Sequence, residues 1–259
     1  HTLLPAGNEI YGNELFSLLL NKYASESAVP VNEITALGTI HESQSFSLSL
    51  FALRLAGKIN AVSKLHAQEA SKTWVGYTIE SITNGIHLPT WDQISQGKTV
   101  SDAHTENKKK LLEIITKETG QAWSEHDLLI GWARRMVTYK RPLAIFDDLA
   151  AFVSLAKNAD RPIKVVMAGI AHQEDSHGKE IIQQLREMIE KELAGIVVYL
   201  SNYNTTLAKQ LTSGCDIWLN TPVVGSEACG TSGMKACFNG ALPLTTKDGW
   251  VDEVDLTDC

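Results

Sequence analysis

Four short apolar runs, LLIGWA (128–133), IKVVMAG (163–169), IVVYL (196–200) and CDIWL (215–219), are separated by segments of helical periodicity around 141–157, 178–193 and 204–212. This alternation constrains the fold more than any other feature. The runs have the length of strands and are apolar nearly throughout, as strands covered on both faces are. Helices between them supply the crossovers of a parallel sheet. The expected fold class is α/β, a Rossmann-like doubly wound parallel sheet. In such sheets ligands lie beyond the carboxyl ends of the strands, so the loops that follow the runs are where chemistry is to be sought.

Upstream the pattern is helical. NELFSLLLNKYA (13–24) and SFSLSLFALRLAGKI (45–59) place apolar residues at helical spacing. Pro89 and the polar WDQISQGK (91–98) precede a helix expected over 101–117, with Ser101, Asp102 and Thr105 near its start. A helical first segment therefore feeds an α/β domain that begins between about residues 80 and 125. His41 and His66 read as helix-surface residues.

Composition narrows the partners. A net charge of −7 and a pI near 5.6 argue against nucleic acid, although a local basic site stays compatible with an acidic protein. Cys215, Cys229, Cys237 and Cys259 lack CxxC spacing, which points to reduced thiols and a cytoplasmic location rather than to zinc or a disulfide framework. No apolar run approaches the roughly 20 residues that span a bilayer, so no membrane partner is expected. A chain that starts at His1 without Met reads as a fragment or a processed product.

Two stretches could carry chemistry. In EACGTSGMKACFNG (227–240), Gly230, Thr231, Ser232 and Gly233 precede Lys235 at the expected start of a helix. Glycines let backbone amides approach a ligand, and amides at a helix start favour phosphate. The stretch equally fits a capped turn packing a helix on a sheet, since it is not the Walker pattern. Lys235 could form a Schiff base, pair with a phosphate, or lie on the surface. In GWARRMVTYKRP (131–142), Arg134, Arg135, Lys140 and Arg141 crowd the end of a strand, which suits an anion site, or a solvated helix start. Tyr139 between them could belong to the core. AHQEDSHGKE (171–180) has no metal-ligand spacing.

These stretches, with HTLLPAGNE, NAVSKLHAQEASKTW, TNGIHLPTW, HGKEII, LSNYNTTLA, DIWLNTP and the continuation GALPL, occur in an order that resembles the glycogen and α-glucan (maltodextrin) phosphorylase family over nearly the whole chain. The resemblance implies the glycosyltransferase B architecture, two Rossmann-like domains with the active site in the cleft between them. Residues 1–82 would match the end of the first domain and 83–259 much of the second, incomplete at its C-terminus. It also implies pyridoxal phosphate as cofactor, anchored covalently by Lys235, with Thr231, Ser232, Gly233, Arg134 and Tyr203 around it. Arg135 and Lys140 would bind substrate phosphate. His1, Asn84, Tyr139, Glu227, Cys229 and Gly230 would surround the transferred glucose. The implied reaction is reversible phosphorolysis of glycogen or maltodextrin to glucose 1-phosphate with retention, the cofactor phosphate relaying a proton. The full-length protein would be a cytoplasmic enzyme and a possible homodimer, with the isolated chain inactive.

Departures from the family pattern are Cys229 for serine, Ile170 in GIAHQ, Val223, Val224 and Asn204. Two other functions share the architecture: a nucleotide-sugar-dependent glucosyltransferase, whose Gly-Thr loop would hold a diphosphate, and a non-catalytic cofactor- or glucan-binding module.

Overall fold

The structure, a computed structural model, describes residues 7–158 and 160–255. The chain divides into two compact units, one ending at Thr83 and the other starting at Asn84.

The first unit holds β1 (Ile10–Gly12), α1 (Asn13–Ser27), α2 (Val31–Ala36), β2 (Thr39–Ile40), β3 (Ser45–Ser47), α3 (Leu48–Leu55), β4 (Asn60–Ala61), α4 (Lys64–Thr73) and β5 (Glu80–Ser81). The expected helix over 45–59 is shorter and starts later. Ser45 to Ser47 pair as the central strand of a small antiparallel sheet, and the Ser47 hydroxyl then accepts the Leu50 N–H to cap α3. His66 is buried, with Nδ1 accepting the Val62 N–H at 3.2 Å, and His41 lies in the turn between β2 and β3; neither is a helix-surface residue.

The second unit contains α5 (Leu88–Trp91), α6 (Val100–Thr119), β6 (Leu128–Ala133), α7 (Leu149–Asn158), β7 (Ile163–Ala168), α8 (Ser176–Lys191), β8 (Val197–Leu200), α9 (Thr205–Gly214), β9 (Ile217–Asn220), α10 (Thr231–Phe238) and β10 (Leu242–Thr245). Helix α6 is capped by Thr99, whose hydroxyl accepts the Asp102 N–H, rather than by the hydroxyls inside it. It ends at Gly120, whose φ of 74° favours glycine. The segment 141–148 is turns and a short 3-10 helix, so the helix expected from 141 begins only at Leu149.

The five strands form one parallel sheet in the order β10-β9-β6-β7-β8. Alternate residues of β6, β7, β8 and β9 enter opposite cores. Leu129 and Ala133 of β6 join Val166 and Ala168 of β7 against α6 and α9, while Ile130, Trp132, Val165 and Met167 face α7 and α8. Each large side chain fully buried in these layers contributes about 1.5–3 kcal/mol. The sheet is doubly wound, as the alternation of runs predicts. Its winding reverses direction between β6 and β9, the position at which sheets of this kind bind ligands.

Candidate functional site

The loops after β6 and β9 are latched together. Val223 donates its N–H to the Tyr139 carbonyl at 2.7 Å, and the Arg141 Nε donates to the Thr221 carbonyl at 2.8 Å. The Thr221 hydroxyl reaches the Lys140 and Arg141 carbonyls at 3.1 and 3.0 Å. These bonds hold Arg141 at φ 43°, a region a non-glycine residue enters only when its surroundings fix it. Gly169, at the end of β7, has φ 154°, and a Cβ there would lie 1.9 Å from the Arg134 carbonyl oxygen. Only glycine lets the chain carry Arg134 past that point.

The latch assembles a buried ion cluster. Both oxygens of Glu227 accept from Lys140 Nζ, at 3.0 and 2.7 Å, and Oε2 lies 2.8 Å from Arg134 Nη1. Arg134, Lys140 and Glu227 are each under a tenth exposed. Arg134 Nη1, although close to the carboxylate, has no aligned hydrogen-bond acceptor, and Asn220 Oδ1 and Trp250 Nε1 nearby are also buried without partners. A small cavity lined by Arg134, Asn220, Glu227, Cys229, Gly230 and Trp250 separates these groups.

Burial, reinforced by Arg134 and opposed by Glu227, lowers Lys140 to about 8. Burial and then Glu227 raise Tyr139 to about 12 against the pull of Arg134 and Arg135, so its phenol stays protonated. Tyr203 is likewise pushed up by burial, with Arg134 opposing. Arg135 itself is exposed, within electrostatic reach of Tyr139 and Lys140.

Glu227 is seated by Asp248, a residue that nothing in its sequence context singles out. Asp248 is buried, its Oδ2 accepts the Glu227 N–H at 3.0 Å, and its Oδ1 accepts the Gly249 N–H at 2.8 Å. Burial raises its carboxyl above the usual range, and the backbone donors oppose that shift. Gly249 has φ 58°, and a Cβ on it would meet the Cys229 carbonyl oxygen at 2.2 Å, so the two loops pack backbone to backbone. Cys229 is buried and its thiol is raised to about 11 by that burial, against a hydrogen bond from the Asn84 backbone.

Gly230 opens α10 at φ 84° with no side-chain cap, and its carbonyl accepts the Gly233 N–H at 3.1 Å, so the helix start offers the Thr231 and Ser232 amides to another acceptor. A Cβ on Gly233 would press on Asn220 Nδ2 at 3.0 Å, so this face of α10 lies against the end of β9. The Ser232 hydroxyl accepts from Trp218 Nε1 at 3.3 Å. Further along, Lys235 is half-buried with Nζ 3.7 Å from the centre of the Trp91 ring, and burial lowers its pKa. Asn239 ties the helix to α5, donating to the Lys235 and Trp91 carbonyls at 2.8 and 2.9 Å.

Of the residues named from sequence, Arg134, Arg135, Tyr139, Lys140, Glu227, Cys229, Gly230, Tyr203 and Asn84 are therefore linked by contact, electrostatic reach or a shared cavity. Thr231, Ser232, Gly233 and Lys235 continue from Gly230 along α10. His1 lies outside the described residues. Asp248, Asn220, Trp250 and Trp91 escaped sequence reasoning; the Trp91–Asn239 pairing had no local signal, and Asp248 only its place before a glycine. Among the departures, Asn204 has a structural role: its Oδ1 accepts the Leu207 N–H at 3.0 Å and caps α9. Val223, Val224 and Ile170 are exposed. The roomier cavity of the first unit, lined chiefly by Leu48, Ala52, Leu53, Ile59 and Trp74, suits apolar packing rather than an anion.

A family profile described as carbohydrate phosphorylase matches residues 88–257. The chain is 33% identical to a glycogen phosphorylase of Aquifex aeolicus, over 86% of this chain and 40% of that protein. It is 31% identical to a glycogen phosphorylase of Mycobacterium tuberculosis, over 98% of this chain and 36% of that one. A maltodextrin phosphorylase of Thermococcus litoralis is 30% identical over 96% of this chain and 36% of its own length. The chain thus spans about two fifths or less of the length of these relatives.

Proposed function

The chain belongs to the carbohydrate phosphorylase family, and from that premise we propose that it is the cofactor- and phosphate-binding part of an α-glucan phosphorylase. The parent enzyme would split glycogen or maltodextrin with inorganic phosphate to give glucose 1-phosphate, with retention. The observation that carries this reading is the pairing, at the switch point of the sheet, of a buried Arg134–Lys140 cation pair with the uncapped glycine start of α10.

The residues fit pyridoxal phosphate. Arg134 Nη1 lacks an aligned acceptor, no side chain caps the start of α10 at Gly230, and Lys235 is an amine lowered by burial against an aromatic face. Lys235 would anchor the cofactor, Gly230 to Gly233 and Arg134 would receive its phosphate, and Tyr203 would lie beside it. When bound, the cofactor supplies a phosphate that can donate and recover a proton at the glycosidic oxygen.

The remaining work falls to the chain's own groups. Two phosphates side by side repel, and Arg134, Arg135 and Lys140 offset that repulsion, the buried pair more strongly because water is excluded there. Tyr139, protonated throughout the neutral range, can donate to a phosphate or sugar oxygen. Glu227, Asn84 and the amides near Cys229 and Gly230 would hold glucose hydroxyls. At Cys229 the family's serine is replaced by a buried thiol; a contact made by the backbone amide survives that change.

The test is direct. The purified chain incubated with pyridoxal phosphate should gain the absorption band of a lysine-bound cofactor and, after borohydride reduction, a matching mass on the Lys235 peptide. Lys235→Ala should abolish both, and an unchanged spectrum in the wild-type chain would refute the assignment. Because the chain spans so little of its relatives' length, we propose that it does not release glucose 1-phosphate from maltodextrin by itself.

A further inference from the structure

Resting on the reading of these loops as a phosphate and sugar site, we propose that Glu227 is a displaceable internal counter-anion. Its carboxylate holds Arg134 and Lys140 until a phosphate takes them, and only then becomes available to a sugar hydroxyl.

The geometry has three parts. First, Glu227 is fully engaged by cations: both oxygens contact Lys140 Nζ, at 3.0 and 2.7 Å, and one also faces Arg134 Nη1 at 2.8 Å. A carboxylate so held is a poor acceptor for a third donor in a buried site. Second, the arrangement is incomplete. One negative charge faces two positive ones, and Arg134 Nη1 is buried without an aligned acceptor. A phosphate brings more charge and oxygens in several directions, so it can satisfy both cations where one planar carboxylate does not. Third, Asp248 holds the Glu227 N–H at 3.0 Å, an anchor on the main chain in which the carboxylate takes no part, so the side chain can turn without breaking it.

Displacement has a consequence. Released from its cations, Glu227 stays near the buried Asp248 carboxylate, already a source of like-charge repulsion. A hydroxyl donor is then the partner that stabilises it. Phosphate binding and sugar binding are coupled through one side chain, each favouring the other as linkage requires.

Calorimetric titration of the 259-residue chain with inorganic phosphate, at constant ionic strength, tests the first half. Glu227→Gln, nearly isosteric and uncharged, should bind phosphate roughly tenfold tighter than wild type, the scale of one charge-assisted hydrogen bond no longer displaced. Equal or weaker binding by Glu227→Gln, with binding lost in Lys140→Met, overturns the exchange and leaves the anion-site reading standing. No phosphate binding by either wild type or Glu227→Gln overturns both.

Removing any nearby negative charge strengthens anion binding, so a second measurement on the unaltered chain decides displacement itself. Coupling of Glu227 to an amine by a water-soluble carbodiimide, read by peptide mass, should rise several-fold with saturating phosphate over chloride at equal ionic strength. Unchanged labelling overturns the proposal.

Discussion

Lys140 shows what a single residue in this site depends on. Burial and Arg134 draw its ammonium down to about 8, against the opposing pull of Glu227. Below that value the amine is protonated and the cation pair is whole; above it, each further pH unit removes about nine tenths of the charged form that remains. Phosphate affinity of the free chain should therefore fall as pH rises beyond about 8. Lys140→Arg, whose guanidinium stays charged, should flatten that fall. Titration of both proteins with phosphate between about pH 8 and 10 measures it, and a flat wild-type profile would refute the role given to Lys140. The cations themselves were legible in the sequence, because Arg134, Arg135, Lys140 and Arg141 crowd eight residues at the end of an apolar run. Asp248 was not, since one aspartate before a glycine is ordinary, and its importance arises only where the chain returns to bond Glu227.

At the scale of elements, β6 was readable almost to the residue because LLIGWA is apolar on both faces. β10 escaped notice. Leu242 and Leu244 are half-exposed on an edge strand, and Pro243 interrupts the run. Leu242 and Thr246 donate their N–H groups to Asp216 and Asn220 of the neighbouring segment, so the intervening Pro243, which has no N–H, costs no bond on that side. The helix expected from 45 failed for a related reason: Ser45 to Ser47 gain partners on both sides, and strand pairing overrides helical spacing. Inside β6, Gly131 is required by packing rather than by backbone conformation. A Cβ there would come within 2.5 Å of Cys215 Sγ and 3.0 Å of the Trp218 ring. Gly131→Ala should lower stability by about 1–3 kcal/mol, the cost of overpacking a dense core. Urea unfolding measures it, and Cys215→Ala in the same chain should recover part of the loss. An unaltered midpoint in Gly131→Ala would show that this layer has room to give.

At the scale of the whole molecule, the two layers that sandwich the sheet draw only on residues between Leu111 and Ala241, all in the second unit. The ion cluster of Arg134, Lys140 and Glu227, and Asp248 beneath it, belong to the same unit. Residues 84–259 alone should accordingly melt in one cooperative transition and bind phosphate with the affinity of the longer chain. Circular dichroism on heating and calorimetric titration check the two halves of that prediction; a gradual, uncooperative melt would mean that the unit needs more than its own core. Among the described residues no helix is long and apolar enough to cross a membrane.

Periodicity, charge density and glycine placement are local, and by themselves they determined the α/β class, most strands of the sheet, the basic loop and the glycine start of α10. The tertiary structure decided which loops meet. Lys140 and Glu227, 87 residues apart, form their ion pair only because β9 packs beside β6. That strand order is set by burying both faces of the sheet at once, a condition on the whole unit that no stretch of sequence states. The lowered Lys140, the misaligned Arg134 and the buried acceptors of Asp248 follow from the same enclosure, because desolvation and hydrogen-bond direction exist only once the surrounding chain has closed over these groups.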